Sequence, residues 1–500
     1  MKTTDRKIPL KKMIFIIMIA FFCNVTNLFA EELLIGTATV DITPKLPVAL
    51  DGQFHLRIAR AIDTPLTANV VALDSREGNR SIDQAIMVSC DLVGIPNKVL
   101  QSVRDEVRKQ MPDLDVNKIF LNATHTHTAP VMENGPDCSF RYEIPKDSVL
   151  QPEEYVEFFV QRVSESIVKA WKSRSPGSVS WGMSHAALAY QRRTVYADGS
   201  AVMYGKTNTP EFRNMEGIED HDVNVLFFWN KSGKLIAMSI EAPCPAQEVE
   251  QLYAVNADYY HPVREKLKQR FGPDLVVLGW IGPAGDQSPR PLYRQAAEER
   301  MIKLRNLTRL EEISRRLVSA VEEVYQTVEQ DRYSDVKLIH KAEILTLPKR
   351  IITENEYKKS KEEQEKAAGL MAADPKAAAQ QLARMTWNRD VVRRYESQKT
   401  NKEQTVNSEI HVLRIGDVVV CTNEFEMFTD YGLRIEAQSK ALQTFVIQLT
   451  GRGTYLPTEK AVKGGGYSAV AQSSVVGPDG GQILVKRTVE LINELFPGKK

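Results

Sequence analysis

The early chain alternates short apolar runs with turn residues. Residues 32–43, ELLIGTATVDIT, stop at Pro44, and LTANVVALD (66–74) and QAIMVSCDL (84–92) follow, each rich in β-branched side chains. Residues 97–111 carry a helical pattern and lead into KIFLNAT (118–124). This strand–helix–strand order predicts α/β layering. Further strands are predicted at 223–229, 235–242, 274–280, 410–421 and 444–450.

Two blocks switch to helical spacing. In 309–330, Ile313, Leu317, Val321, Val324 and Val328 recur on one face with charges between them. Residues 355–400 are rich in Ala, Lys, Glu and Gln, with Pro375 as a break, and predict a helical hairpin laid on the body of the protein. A last helix is expected at 481–496. With no internal repeat and no low-complexity linker, the expectation is an α/β fold. It comprises one large catalytic domain over residues 31–500, with layered mixed sheets flanked by helices and the hairpin as an insertion.

Charge changes the picture only at the N-terminus. Residues 1–30 hold five basic residues against Asp5, a local charge of +4 in a chain whose total is +1. That lysine-bearing start precedes MIFIIMIAFFC (13–23), a polar break and LFA ending at Ala30. The pattern reads as a secretory signal cleaved near Ala30, with export to the periplasm or exterior; an N-terminal membrane anchor is the alternative. Cys23 raises lipid anchoring, against which Phe22 is a poor preceding residue. No other stretch is long and apolar enough to span a bilayer, and no basic stripe points to nucleic acid. Cys90, Cys138, Cys244 and Cys421 are too few and too scattered for a disulfide framework.

Five segments could carry chemistry. NATHTHTAP (122–130) ends an apolar strand with two histidines one residue apart. In a strand, His125 and His127 point to one face, offering two metal ligands, or one ligand and an acid/base group; structural histidines are the alternative. GPAGDQSP (282–289) follows the apolar LVVLGW and displays Asp286 and Ser288 at a strand's carboxyl end, or forms an ordinary turn. CTNEFEMF (421–428) alternates Glu424 and Glu426 with Phe425 and Met427, an apolar setting that penalises an unpaired acid. In 451–469, Tyr455 and Tyr467 lie among glycines, which allow close backbone approach. Cys244, between prolines in IEAPCPAQ, is a packing residue or a thiolate ligand.

In this order the segments resemble the catalytic domain of the neutral (non-lysosomal) ceramidase family, from about residue 33 to 497. GTATVDITP is similar to the family's G-x-G-x-x-D-[IV]-T opening, LRIARAIDTPLTANVVAL follows in register, and THTHTAP is close to T-H-T-H-S-G-P. AGDQSP resembles G-D-V-S-P, FEMFTDYGLRI resembles F-E-x-T-x-x-x-G-R, and GTYLPTEKAVKGGGY resembles the Y-x-T-x-E-E-Y region. The resemblance implies a zinc-dependent amidase that splits ceramide into fatty acid and sphingosine. Carried over position by position, it makes His125, Glu426 and Tyr455 metal ligands, and His127 the neighbouring proton or substrate handler. Ser288 and Tyr467 become active-site residues, and Arg192, in YQRRTVYADG, matches a family arginine.

Two departures matter. Where the family has His-Pro as a further ligand, this chain has Cys244-Pro245. A thiolate there would complete a tetrahedral shell but cancel more of the metal's charge; Gln247 or His261 are the alternatives. The family's additional C-terminal β-domain also has no counterpart here, which bears on how lipid is handled. The implied mechanism is attack by a zinc-activated water on the carbonyl of an N-acyl substrate, with His127 moving the proton and Tyr467 or Arg192 steadying the oxyanion. Alternatives are a hydrolase of the same fold acting on a polar or sugar-derived substrate, and a secreted binding protein without activity.

Overall fold

The computed structural model describes residues 32–401 and 404–498, so the expected export signal at 1–30, Cys23 included, lies outside the described residues. Eight strands form one mixed sheet. They are β1 (Glu32–Asp41), β2 (Thr67–Glu77), β3 (Arg80–Cys90), β4 (Ile119–Ala123), β5 (Ser175–His185), β6 (Asp222–Asn230), β7 (Leu235–Ala242) and β8 (Val276–Ile281). Their order is β8–β7–β6–β5–β1–β2–β3–β4, and neighbours are antiparallel except β7/β8 and β3/β4. A second sheet holds β9 (Leu338–Pro348), β10 (Thr405–Ile415), β11 (Val418–Thr422) and β12 (Gln443–Ile447) in that order, with β11/β12 parallel.

The side chains explain why the sheets stack. In β2, Val71 and Leu73 face one way and Val70 and Ala72 the other, the two-residue period of a strand, and all four are buried. Val71 and Leu73 join Ile35, Phe120, Leu226, Phe228 and Trp280 from the large sheet in a core shared with Leu413, Val418, Val420 and Phe445 of the small one. The sheets therefore pack face to face. A strand buried on both faces reads as a nearly continuous apolar run, as LTANVVALD does.

Helices cover the outer faces. Helices α1 (Asn97–Gln110) and α2 (Pro152–Lys172) bury Val99, Val103, Tyr155 and Phe159 against one half of the large sheet. Helices α3 (Tyr260–Phe271) and α4 (Arg309–Val328) cover the other half, and Ile313, Leu317, Val321, Val324 and Val328 all point into that core, as their spacing predicts. The hairpin is α5 (Glu354–Ala373) and α6 (Ala378–Thr400), broken at Pro375–Ala377. Helices α7 (Thr429–Gln438) and α8 (Pro478–Leu495) back the small sheet with Tyr431, Ile435, Leu484 and Leu491. The result is the expected α/β fold as four layers: helix, sheet, sheet, helix. No helix among the described residues is long and apolar enough to cross a membrane.

One expectation changes. The single strand predicted at 410–421 is the β10–β11 hairpin, because Gly416 takes φ +62° and turns the chain between two apolar runs. Helix α2 and strand β5 lie outside the predicted elements: α2 starts at Pro152 behind a Gln151/Glu154 capping box and buries Tyr155, Phe159, Val163 and Ile167 at helical spacing, whereas β5, SPGSVSWGMSH, is poor in β-branched residues. Its partner β6 supplies the apolar surface instead.

Candidate active site

The three parallel strand pairs end at one edge of the sandwich, and their carboxyl-end loops interlock. Ala123 N donates to Leu449 O (3.1 Å), Gln448 N to Ile281 O (3.0 Å), and Gly282 N to Ala242 O (3.0 Å). Strand ends of this kind are where open α/β sheets place ligands.

His125 and His127 sit just past β4, not within it. His125 has φ +68°, a left-handed conformation that is costly for a residue with a Cβ. The alternation survives by other means: Thr126 and Thr128 turn inward and donate to Asn256 O at 2.7 and 2.6 Å, leaving the histidine rings together at 4.8 Å and 77°. His125 Nδ1 lies 2.6 Å from Val93 O. A carbonyl accepts only from N–H, so Nδ1 carries a proton and Nε2 is the nitrogen turned to the cleft. That Nε2 faces Glu426 Oε2 at 3.5 Å and His127 Nε2 at 3.4 Å.

His127 Nε2 accepts from Gln247 Nε2 at 2.7 Å, and its Nδ1 faces Glu250 Oε2 at 3.5 Å. Burial, then the His125 ring, Arg57 and Arg192, push His127 well below the usual histidine range. Its backbone is held by Arg57, a fully buried residue missed at sequence level. Arg57 donates to the carbonyls of His127 (2.5 Å), Asp51 (2.7 Å), Glu250 (2.6 Å) and Leu252 (2.9 Å). Gly52 lies flat on the His127 ring, where a Cβ would come within 2.5 Å.

Glu426 and Tyr455 meet because they are partners in a two-residue parallel ladder, Glu426–Met427 with Tyr455–Leu456. Gly285 packs against the Glu426 carbonyl so closely that any side chain would clash, which brings the 282–288 turn against it. Burial raises the Glu426 carboxyl, but His125, Arg192 and the Tyr455 hydroxyl outweigh it, and the net shift is downward. Arg192 Nη2 donates to Tyr455 Oη (3.2 Å) and to Gly285 O (2.8 Å). Tyr467 packs edge-on against Tyr455 at 5.5 Å. Glu424 faces away and accepts from Asn97 Nδ2 at 3.0 Å.

The structure thus brings together His125, His127, Glu426, Tyr455, Tyr467 and Arg192. It does not bring Cys244 or Ser288 to them. The Cys244 thiol packs in the core beneath β7 beside Tyr259 and Pro245 O (3.7 Å), and burial pushes it strongly upward, against thiolate formation. The residue after Pro245-Ala246 reaches the histidines instead, as Gln247. Ser288 is buried in a short ladder with Tyr190, and its hydroxyl accepts from Arg290 N at 3.3 Å. Asp286 holds the turn, accepting from Thr429 N (2.9 Å) and Gln191 Nε2 (2.9 Å). His261 lies in the first turn of α3, outside the cleft.

His125, His127, Glu426, Tyr455 and Tyr467 line a cleft of about 170 Å³. Its mouth is aromatic: Phe54 lies 4.9 Å from Phe140, 5.1 Å from Trp387 and 5.9 Å from Tyr467. Trp387 comes from α6, so the hairpin caps the cleft, anchored by Arg389 to Pro136 O (2.9 Å) and by Gln472 to Ser360 and Asn388 (3.1 Å each). Among the described residues no group of three or more His, Cys, Asp and Glu side chains is arranged to hold a metal ion. The groups that do converge are two imidazole Nε2 atoms, a carboxylate and a tyrosine hydroxyl. Imidazole nitrogens beside a carboxylate suit a cation, and the Nδ1–H bond to a backbone carbonyl is the usual support of a metal-binding histidine.

No family model matches the chain, and no curated protein matches it in sequence. Solved structures do match in fold. A neutral ceramidase from Pseudomonas aeruginosa superimposes with a TM-score of 0.64 at 15% identity, over 93% of this chain and 75% of that one. A ceramidase complexed with C2 does so with a TM-score of 0.65 at 14% identity, over the same shares. The chain has the neutral ceramidase fold.

Proposed function

We propose that the chain is a hydrolase of the ceramidase type that cleaves the amide of an N-acyl substrate, with zinc held by His125, Glu426 and Tyr455. The observation that carries this reading is His125 Nε2 turned toward the Glu426 carboxylate at 3.5 Å, beside the Tyr455 hydroxyl. The shared fold with ceramidases supports the reaction class. A divalent ion there would polarise the substrate carbonyl and acidify a water. His127 presents a bare Nε2 to the same space and exchanges the proton between water and leaving nitrogen. Tyr467 and Arg192, next to Tyr455, supply donors to the oxygen that gains charge. Gln247 and Arg57 are positioning residues for His127. Cys244 and Ser288 stand apart from this group of side chains.

A second reading, a polar or sugar-derived substrate in place of ceramide, is favoured by the cap. The outer cavity between hairpin and cleft, about 430 Å³, is walled by Glu363, Lys366, Gln381 and Arg384 as well as by Trp387 and Leu370. Such a wall does not suit a lipid bilayer. Residues 1–30 are read as an export signal.

Two measurements test the proposal. Purified protein should carry near-stoichiometric zinc, lost in His125→Ala and Glu426→Ala; absence of metal in the unaltered protein would leave a binding protein as the reading. A panel of ceramides and N-acyl or acylated sugars then separates the substrates: glycan turnover without fatty-acid release from any ceramide counts against the lipid.

A further inference from the structure

Arg452 stands where two cavities meet. On one side is the cleft with His125, His127 and Glu426; on the other is a larger cavity of about 560 Å³. Arg452, Ser139 and Phe140 line both. The guanidinium is half committed. One nitrogen, Nη2, is paired with Asp51 Oδ2 at 2.8 Å, and the other Asp51 oxygen accepts from Gly52 N at 2.8 Å. Arg452 Nη1 is buried and has no hydrogen-bond partner. A buried N–H left unpaired is costly, and one on a charged group more so. The larger cavity offers little to a hydrocarbon chain. Its walls include Asn97, Lys98, Glu133 and Asp137, and among the described residues no Leu, Ile or Val lines it. Lys98 is paired with Glu133 at 2.7 Å, and Arg452 Nη1 remains a buried cationic donor without a partner between the cavities.

We propose that Arg452 is a specificity residue that receives a carboxylate of the substrate, so that the preferred substrate is an N-acyl compound bearing an acidic group beside the amide, as an N-acyl amino acid does. This rests on the reading of the cleft as an amide-cleaving site. The acyl carbonyl then lies by His125, Glu426 and Tyr455, and the acidic amine portion extends past Arg452 into the polar cavity.

The test compares N-hexanoylglycine with N-hexanoylglycinamide by calorimetry on the full chain. A chelator is present, so that the carboxylate cannot register as a metal ligand. The acid should bind about tenfold to a hundredfold more tightly than the amide, the range of a charge-assisted hydrogen bond. Arg452→Gln should reduce the acid to the affinity of the amide and leave the amide unchanged. Equal affinities in the unaltered protein overturn the proposal whether or not the variant folds, and so does an equal loss for both compounds in Arg452→Gln. Arg452-dependent binding of the acid, with no turnover of any N-acyl compound by metal-loaded protein, supports the anion site and overturns the hydrolase reading instead.

Discussion

His125 Nε2 faces Glu426 Oε2 across 3.5 Å, while its Nδ1 is held 2.6 Å from Val93 O. Such an arrangement is stabilised by a cation. Zinc added to metal-free protein should therefore stabilise the fold by about 2.7 kcal/mol at a hundredfold excess over the dissociation constant, and so raise the unfolding midpoint. Glu426→Gln should abolish the gain in a thermal scan. An unchanged midpoint in the unaltered protein would speak against a metal site.

Tyr467 lies beside Tyr455, with a hydrogen bond between their side chains, and lines the cleft outside the Glu426–Tyr455 ladder. Tyr467→Phe should lower kcat by about 10²–10³, the usual cost of one oxyanion donor, with zinc content unaltered. Parallel metal analysis and steady-state kinetics check this.

Arg57 satisfies four backbone carbonyls from three loops. Arg57→Met should destabilise the fold by roughly 2–4 kcal/mol, because the carbonyls it leaves lose their donor, and should also loosen His127. Urea unfolding measures the first effect, and kcat falling further than KM changes measures the second.

Trp387 closes the mouth from the hairpin and contacts Phe54 and Tyr467. Trp387→Ala should raise KM severalfold with kcat less affected, since it touches neither the histidines nor Glu426 in this arrangement. Equal falls in kcat and in kcat/KM would assign the indole a role in the reaction itself.

Glu436, on α7, is pushed up to about 8 by burial and by Asp220 and Asp222. The native state then holds a proton that the unfolded chain releases near pH 4.5. Between about pH 4.5 and 8 the unfolded chain binds fewer protons, so stability falls as pH rises and levels off above 8. Glu436→Gln should flatten that slope and stabilise the protein by roughly 1–3 kcal/mol at pH 8.5. Denaturation midpoints across that range show the sign.

Much of the scaffold was legible because its strands are buried on both faces and its helices on one. LTANVVALD and the 309–330 stripe declare themselves by period alone. The same holds for the chemical segments that end strands: His125 and Glu426 were visible as polar residues following apolar runs, and Tyr455 as a tyrosine among glycines. The geometry that joins them was not. The left-handed turn at His125, the Glu426–Tyr455 ladder and the Arg57 clamp depend on contacts between distant segments. Cys244 illustrates the limit. Its place in the motif suggested a ligand, but the chain bends so that the thiol packs under β7 and Gln247, beyond Pro245, reaches His127.

The hairpin springs from the ends of β9 and β10, which stay paired from Leu338 with Ile415 to Pro348 with Thr405. The ladder closes before the insertion begins, and Lys349 N still donates to Gln404 O at 2.8 Å. A different cap could be grafted at that neck without shifting the register of any strand that carries the histidines, Glu426 or Tyr455. The hairpin's share of the cleft mouth is therefore replaceable apart from the cleft floor, and a lineage can remodel the one while the other stays the same.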